Sequence, residues 1–164
     1  MGTYEEIDRA ATGLEKEWEH NKTHAENWIN YGRLFTPDAV CVEHNYGIFH
    51  GADAIGEWLD KTLHSFPGNE MPHFEFTWRV IDAEQGRFVG GVINRMKDPG
   101  DGSVHEVKAI QHMEYGGDGL WKLEEDVYNP NLFLKMLKGY IRKCKELGSL
   151  SPEAEEFGKN FNWI

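Results

Sequence analysis

The chain has 164 residues, of which 40% are hydrophobic and 13% aromatic, and its 17 basic and 28 acidic side chains leave a formal net charge of −11. This length and apolar content predict one globular domain with a substantial core and exclude an intrinsically disordered chain. So acidic a chain lacks the basic footprint that nucleic acid or an anionic membrane surface requires, and no apolar run approaches the ~20 residues of a membrane-spanning helix. We therefore expect no nucleic-acid and no membrane partner.

Three helices are predicted in the first part of the chain. Apolar side chains recur at helical spacing over residues 3–21, and Thr3 with Glu6 forms a capping box. A second helix is predicted over residues 23–35, followed by a turn because Pro37 cannot continue a helix. A third helix begins after Gly51 and runs to residue 63.

A short strand between the second and third helices ends unusually. Residues 39–43 are apolar and β-branched until Glu43, and His44 follows directly. A buried strand ends in charge where these groups meet water, a partner or a ligand. We expect Glu43 at the wall of a pocket and His44 turned away from it. The turn and return strand from Tyr46 to His50 are expected to line the entrance.

The second part of the chain changes to the period of strands. Four strands are predicted over residues 72–82, 87–97, 104–115 and 120–128, with Gly- and Asp-rich hairpin turns between them. A last helix is predicted over residues 131–147. Helices first and meandering strands afterwards indicate an α+β fold, in which a curved, mainly antiparallel sheet wraps against three N-terminal helices with a further C-terminal helix.

One domain is expected over residues 1–148. The tail, residues 149–164, is polar with isolated aromatic side chains, and we expect it to pack on the domain or on a neighbouring subunit.

No metal and no cofactor is expected from the spacing of potential ligands. The eight histidines and two cysteines form neither H-E-x-x-H nor C-x-x-C, and no phosphate-binding glycine loop is present. The N-terminus is acidic and helical in pattern, unlike a signal peptide. Cys41 and Cys144 lie in apolar contexts typical of buried free thiols, so a cytoplasmic protein is expected.

Three motifs resemble the SnoaL-like branch of the NTF2-like superfamily. They are LF-x-x-DA at residues 34–39, G-x-x-AI-x-x-W at residues 51–58 and DG-x-W at residues 118–121, and the resemblance spans residues 17–130. It implies a cone-shaped domain with a cavity between sheet and helices. Members include ketosteroid isomerases, polyketide cyclases, scytalone dehydratases, limonene epoxide hydrolases, cofactor-free carbon–carbon lyases and domains without any reaction. The motifs therefore indicate architecture and leave the chemistry open.

The resemblance implies roles for several residues. Glu43 is similar in position to the general base of ketosteroid isomerases, and Gln111 to the protonated acid of their oxyanion hole. The tyrosine that completes that hole has no match in this sequence. An amide at position 111 could donate a hydrogen bond but could not titrate.

Other positions resemble different subfamilies. His24 and His73 are similar in position to cavity residues of scytalone dehydratases. Asp126 resembles one carboxylate of the epoxide hydrolases, and Asn94 lies near where that family places another, so the acid pair of that family is not reproduced. No subfamily's set of catalytic residues is complete, so the resemblance names a cavity and not a reaction.

Strand alternation brings these polar side chains to one face of the sheet. The expected cavity is walled by Trp28, Phe49, Trp58, Val92 and either Phe74 or Phe76. The candidate catalytic residues are Glu43, His73, Asp126 and His24, and the base is either Glu43 or His73. The candidate substrate-binding residues are Tyr46, His50, Asn94, Gln111, Tyr128, Trp28 and Trp58.

Each candidate also has a purely structural interpretation. Glu43 could be a solvated carboxylate or a partner of Arg33 or Arg95. The histidines could lie at the surface, and residues 124–126 could form a simple run of charge. Asn94 and Gln111 could satisfy buried backbone groups.

Carboxylates, an imidazole and neutral donors in an apolar cavity favour proton transfer beside a carbonyl or phenol. We therefore expect a cofactor-independent acid–base enzyme of the lyase or dehydratase type, with retro-aldol carbon–carbon cleavage included, that acts on a small apolar, cyclic or aromatic molecule. The alternatives are an isomerase or cyclase of the same fold, or a non-catalytic domain that binds a hydrophobic ligand. The apolar residues expected on the outer sheet face predict a homodimer or homotrimer.

Overall fold

The computed structural model describes residues 2–164, apart from the side chains of residues 23 and 25–27. The helices are α1 (Tyr4–Thr23), α2 (Ala52–Leu63), α3 (Pro130–Leu147) and α4 (Pro152–Asn160), with 3₁₀ segments at Ala25–Leu34 and Gly68–Glu70. The strands are β1 (Phe35–Glu43), β2 (Gly47–His50), β3 (His73–Asp82), β4 (Arg87–Arg95), β5 (Glu106–Gly117) and β6 (Leu120–Val127).

The six strands form one curved sheet in the order β2-β1-β6-β5-β4-β3. All neighbouring pairs are antiparallel except β1 with β6, which run parallel. The predicted α+β fold with a curved, mainly antiparallel sheet is confirmed. The parallel pair joins the early strand to the last one, so it brings the ends of β1 and β6 side by side.

Helix ends follow the capping signals in the sequence. Thr3 N donates to Glu6 Oε2 at 2.7 Å, and Glu6 N donates to Thr3 Oγ1 at 3.2 Å, which completes the capping box of α1. Asn129 caps α3 by accepting N–H groups of its first turn, and Gly148 ends that helix in the left-handed region at φ 72°.

The second predicted helix is a 3₁₀ helix, and the turn predicted after it belongs to β1. The strand pairing of β1 with β6 is irregular between Phe35 and Val40. Pro37 lies in this stretch and has no N–H to donate to a ladder, so a local irregularity takes the place of a turn.

The segment after α3 contains a helix that the sequence analysis did not predict. Ser151 caps α4 by accepting the N–H of Ala154 at 3.2 Å, and Ala154 is fully buried. The ring of Phe157 lies 5.2 Å from that of Phe66. Of the isolated aromatic side chains of this segment, Phe157 lies on α4, and the rings of Phe161 and Trp163 after the helix end lie 4.8 Å and 5.7 Å from it.

Two apolar clusters fill the molecule. The first lies between α1, α2, the Ala25–Leu34 segment and the inner sheet face, and it contains Trp121, Tyr31 and Phe88. The second lies between α3, α4 and the ends of β4 and β5, and it contains Tyr140 and Met96. Phe74 packs against both clusters. The space between them is the cavity described below.

Candidate active site

A cavity of about 130 Å³ opens between the inner sheet face, α2 and the start of α3. Its lining is largely apolar and aromatic, with a polar group at one end. It is lined by Trp18, Glu43, Tyr46, Trp58, Leu59, Thr62, Leu63, Pro67, Gly68, Met71, Phe74, Phe76, Val92, Asn94, Ala109, Gln111, Asp126, Tyr128 and Phe133. Such a small, mostly apolar concavity with a few convergent polar groups is typical of a small-molecule site.

The polar end is a row of three side chains on adjacent strands. Glu43 of β1 is in register with Asp126 of β6, and Asp126 is in register with Gln111 of β5. Neighbouring strands lie about 4.8 Å apart, so residues in one row present their side chains next to one another. The sequence predicted all three for this cavity, and the sheet register aligns them.

Glu43 is held at the end of β1 by the turn that follows. Its side chain is only 4% exposed, and Oε2 accepts the backbone N–H of Asn45 at 2.7 Å and of Tyr46 at 2.8 Å. Two backbone donors thus orient the carboxylate, which explains why a buried strand can end in a glutamate.

A second buried carboxyl lies behind the row. Gln111 Nε2 donates to Glu124 Oε1 at 2.6 Å and to Asp126 Oδ1 at 3.4 Å. The hydroxyl of Tyr31 donates to Glu124 Oε2 at 3.1 Å. A hydrogen-bonded chain therefore runs from the cavity wall at Asp126 into the core at Tyr31.

Burial dominates the acidity of this cluster. It raises the pKa of Asp126 to about 7, with the negative charge of Glu43 acting in the same direction. Burial, and then the charge of Asp126, raise the pKa of Glu124 well above its ordinary value against the opposing hydrogen bonds of Tyr31 and Gln111. Asp126 can therefore exchange a proton near neutral pH in contact with the cavity.

Four further predicted residues line the cavity, namely Tyr46, Trp58, Asn94 and Tyr128. The hydroxyl of Tyr128 accepts a hydrogen bond from the side-chain amide of Asn45 at 2.5 Å. Burial and the neighbouring carboxylate of Glu43 raise the pKa of Tyr128, so this hydroxyl stays protonated. Both Phe74 and Phe76, which were alternatives in the sequence, line the wall.

The histidines predicted for the site do not reach the cavity. His73 precedes Phe74 on β3, and strand alternation turns it outward, where its side chain is 42% exposed beside Glu75 at 3.4 Å. His24 is exposed at the end of α1 and stacks on His20 at 4.4 Å. His50 is exposed on the edge strand β2. This geometry corrects the proposed base at His73 and the proposed roles of His24 and His50.

Two other expectations are corrected as well. Trp28 is 5% exposed and packs edge-on against Trp18 at 4.9 Å, so it belongs to the core, and Trp18 takes the place at the wall. Gln111 was expected to donate to a ligand, but its amide nitrogen is engaged by Glu124 and Asp126. Its Oε1 is buried without a partner among the described residues.

The outward turn of His44 agrees with the sequence analysis. Its Nε2 lies 3.1 Å from Glu125 Oε1 on the opposite side of the sheet from the cavity, and its side chain is 55% exposed.

Sequence reasoning missed Glu124 and Tyr31 as members of the polar cluster. Strand alternation puts Glu124 on the face of Asp126, but the adjacent Glu125 made the stretch resemble a solvated run of charge, so Glu124 was not chosen as a site residue. The contact of Tyr31 to Glu124 depends on tertiary packing and has no signal in the sequence.

The described residues contain no group of three or more His, Cys, Asp and Glu side chains arranged to hold a metal ion. Nor does any helix within them have the length and apolar character needed to cross a membrane.

No model of a known protein family matches the chain, and no curated protein matches it. Several solved structures are similar to it. An LEH-like epoxide hydrolase of M. tuberculosis superposes with a TM-score of 0.64 at 11% identity, over 89% of this chain and 94% of that one. A protein with a ketosteroid isomerase-like fold from Catenulispora acidiphila, in complex with trimethylamine, has a TM-score of 0.59 at 17% identity, over 75% and 90%.

A candidate polyketide cyclase of Xanthomonas campestris has a TM-score of 0.57 at 15% identity, over 80% of this chain and 98% of that one. Identities this low establish the fold and not the activity. The chain therefore has the NTF2-like fold that its SnoaL-like motifs predict.

Proposed function

We propose that the protein is a cofactor-independent acid–base enzyme of the lyase or dehydratase type that acts on a small apolar, cyclic or aromatic substrate. The observation that carries this proposal is the position of Asp126 at the wall of an apolar cavity. Burial raises the pKa of this carboxyl to about 7. A general acid or base is most effective when its pKa lies near the working pH.

Asp126 carries the proton transfers, and Glu43 supports them electrostatically. The carboxylate form of Asp126 removes a proton from the substrate, either from a carbon beside a carbonyl or from a hydroxyl two carbons away. In retro-aldol cleavage, loss of the hydroxyl proton forms a new carbonyl, and the electron pair of the broken carbon–carbon bond moves to the enolate. The proton on Asp126 then returns to that carbon. Glu43 keeps the pKa of Asp126 high by its charge.

Neutral side chains of the cavity would orient the substrate. Asn94 lies at the cavity wall four residues along β4 from Gly90, the register partner of Gln111, so its amide would contact a part of the substrate remote from Asp126. Gln111 holds the carboxyl of Asp126 in place through its amide nitrogen. Gln111 therefore positions Asp126 and is not assigned as the oxyanion donor.

The size of the cavity limits the substrate. A protein cavity of roughly 150 Å³ accommodates benzene, and the cavity here measures about 130 Å³. A substrate with one ring or a compact branched skeleton fits this volume, whereas a fused polycyclic skeleton would have to extend through the opening.

A second function uses the same cavity without turnover. The aromatic lining and the buried hydrogen-bonded cluster behind it would also suit a domain that holds a hydrophobic ligand. Isomerase or cyclase chemistry remains a further alternative, since both require the same proton transfers.

Turnover of a panel of one-ring β-hydroxy ketones, enolisable ketones and phenols tests the proposal. We expect Asp126→Asn to lower kcat by about 10²- to 10⁴-fold, with a smaller loss in Glu43→Gln. The activity of the wild type should rise with pH through about 7 as Asp126 loses its proton, and this inflection should disappear in Asp126→Asn.

Glu75→Gln is the matched control, because Glu75 lies on the same sheet between two cavity residues but faces outward, 49% exposed. Its kinetics should equal those of the wild type. Activity that persists unchanged in Asp126→Asn would remove Asp126 from the mechanism, and the absence of turnover across the panel would favour the ligand-binding alternative.

A further inference from the structure

Most groups at the polar end of the cavity are hydrogen-bond acceptors. Glu43 and Asp126 contribute carboxyl oxygens. The amide nitrogen of Gln111 is engaged by two carboxyls, and its Oε1, on a side chain that is 5% exposed, has no partner among the described residues. A ligand that brings hydrogen-bond donors or positive charge therefore matches this end best.

The cavity supplies no positive charge of its own. No lysine, arginine or histidine lies among the described residues that line it. The ion pairs of the neighbouring Glu125, with His44 at 3.1 Å and His112 at 3.5 Å, are on the outer sheet face. Two carboxyls thus face an apolar space without a counter-ion, an arrangement that is costly unless a ligand compensates it.

Much of the remaining wall is aromatic. The rings come from four different elements and line the same cavity as the carboxyls, namely Trp18, Trp58, Phe74, Phe76 and Phe133. The Trp58 ring is itself held in place, stacked on Phe49 at 4.7 Å and beside Tyr46 at 6.2 Å. Aromatic faces attract cations, and aromatic cages of this kind bind quaternary ammonium groups.

We infer that the cavity binds an organic ammonium ion with a compact apolar body, with Glu43 and Asp126 as counter-charges and the aromatic side chains as walls. The inference names the substrate class of the proposed function and rests on that function only in using the same cavity. The net charge of −11 raises the local concentration of such a cation around the protein.

Binding of the cation is coupled to the proton on Asp126. Besides the charge of Glu43, several titratable or hydrogen-bonding groups surround this carboxyl. They are Cys41 on β1, His44 after it, Gln111 on β5, Glu124 and Glu125 on β6, and Tyr31 of the 3₁₀ segment. Burial raises the pKa of Asp126 to about 7, so the cavity gains a negative charge as the pH rises through this value. Affinity for a permanently charged cation therefore rises with pH, and the bound cation lowers the pKa of Asp126 in return.

Calorimetric titration of the wild type with choline and with its neutral isostere 3,3-dimethylbutan-1-ol tests the inference, because the two probes differ only in nitrogen for carbon. At pH 8 we expect choline to bind about tenfold or more tightly than the alcohol, as expected for a desolvated cation–π site. The preference for choline should shrink between pH 8 and pH 6, while the affinity for the alcohol stays constant.

Variants locate the site. Glu43→Gln should weaken choline binding by about tenfold and leave the alcohol unaffected. Glu75→Gln removes the same charge from the outer face and should change neither affinity. Equal affinity for the two probes, no binding of choline, or equal losses in Glu43→Gln and Glu75→Gln would each overturn the inference.

The outcome is separable from that of the proposed function. Choline binding without turnover of any substrate would leave the inference standing and count against the enzyme. Turnover of neutral ring ketones by a protein that does not prefer choline would sustain the enzyme and overturn the ammonium site.

Discussion

The cluster of carboxyls around Asp126 destabilises the folded state when these groups are ionised. A buried carboxyl with a raised pKa is less stable when ionised than it would be in water, so its ionisation opposes folding. Glu124 behaves in the same way deeper in the core, where it is 2% exposed and is supported by Tyr31 and Gln111. Such an arrangement is typical of functional sites, where ionisable groups are retained despite their cost.

The pH dependence of stability follows from the pKa of Asp126, which is 3.8 ordinarily and about 7 in the folded chain. Below pH 4 the group is protonated in both states and costs nothing. As the pH rises to 7 the unfolded chain releases its proton first, so the free energy of unfolding falls, and above 7 the full cost is present.

We therefore expect Asp126→Asn to raise the free energy of unfolding at pH 8 by on the order of 2 to 4 kcal/mol, and by much less at pH 5. Urea denaturation at both pH values measures this, with Glu75→Gln as the control that should show no such difference. A variant that is equally destabilised at both pH values would show that Asp126 is a structural hydrogen-bonding group and not a strained carboxyl.

At the scale of elements, the position of α2 depends on a close crossing with the Ala25–Leu34 segment. A Cβ at Gly56 would lie 2.6 Å from the carbonyl oxygen of Ile29, and a Cβ at Gly32 would lie 2.3 Å from that of Ala52. Only glycine permits this approach of two backbones. Because α2 carries Trp58 and Leu59 to the cavity, the crossing also sets the position of one cavity wall.

Gly56→Ala should therefore destabilise the protein by about 1 to 3 kcal/mol, since the backbone atoms that it meets cannot move aside without displacing α2. Gly13→Ala is the matched control within α1, because a Cβ there meets nothing within 4 Å. It should stabilise the chain by about 0.5 to 1 kcal/mol. Thermal or urea unfolding measures the change in the free energy of unfolding for each variant. Equal changes in both variants would contradict the proposed role of Gly56 at the crossing.

At the scale of the whole molecule, the outer sheet face mixes exposed apolar side chains with ion pairs such as that of Glu125 with His44. Ile110 and Val127 are register partners on β5 and β6 and are 43% and 44% exposed. Trp78 and Val80 on β3 and Ile48 on β2 are 47%, 59% and 59% exposed. Exposed apolar side chains on a sheet face favour a subunit interface.

We propose on this basis that the protein is a homodimer or homotrimer that associates through the outer face. Ile110→Lys should shift it to the monomer, because an unpaired charge at the centre of an apolar interface is strongly unfavourable. Val104→Lys is the control at an exposed apolar side chain in the loop before β5, 63% exposed, and should leave assembly intact. Sedimentation measures the mass, and a wild type that sediments as a monomer would refute the proposal.

The sequence by itself determined the elements and their faces. Capping residues, hairpin turns and the change from helical to strand period predicted α1, α2, α3 and the six strands, and alternation assigned Gln111 and Asp126 to one face. These features are local, since each depends on residues a few positions apart. His73 was proposed as a base from the chemistry of its imidazole alone. Only strand alternation on β3 shows that its side chain faces away from the cavity.

The tertiary structure alone decided which of these residues meet. The parallel pairing of β1 with β6 aligned Glu43 with Asp126 across 83 positions of sequence, and packing of Tyr31 on the sheet connected it to Glu124 across 93. Burial at that junction, and not the sequence of Asp126 itself, shifts its pKa to about 7. Desolvation and charge proximity depend on distances through space, which the order of residues along the chain does not contain.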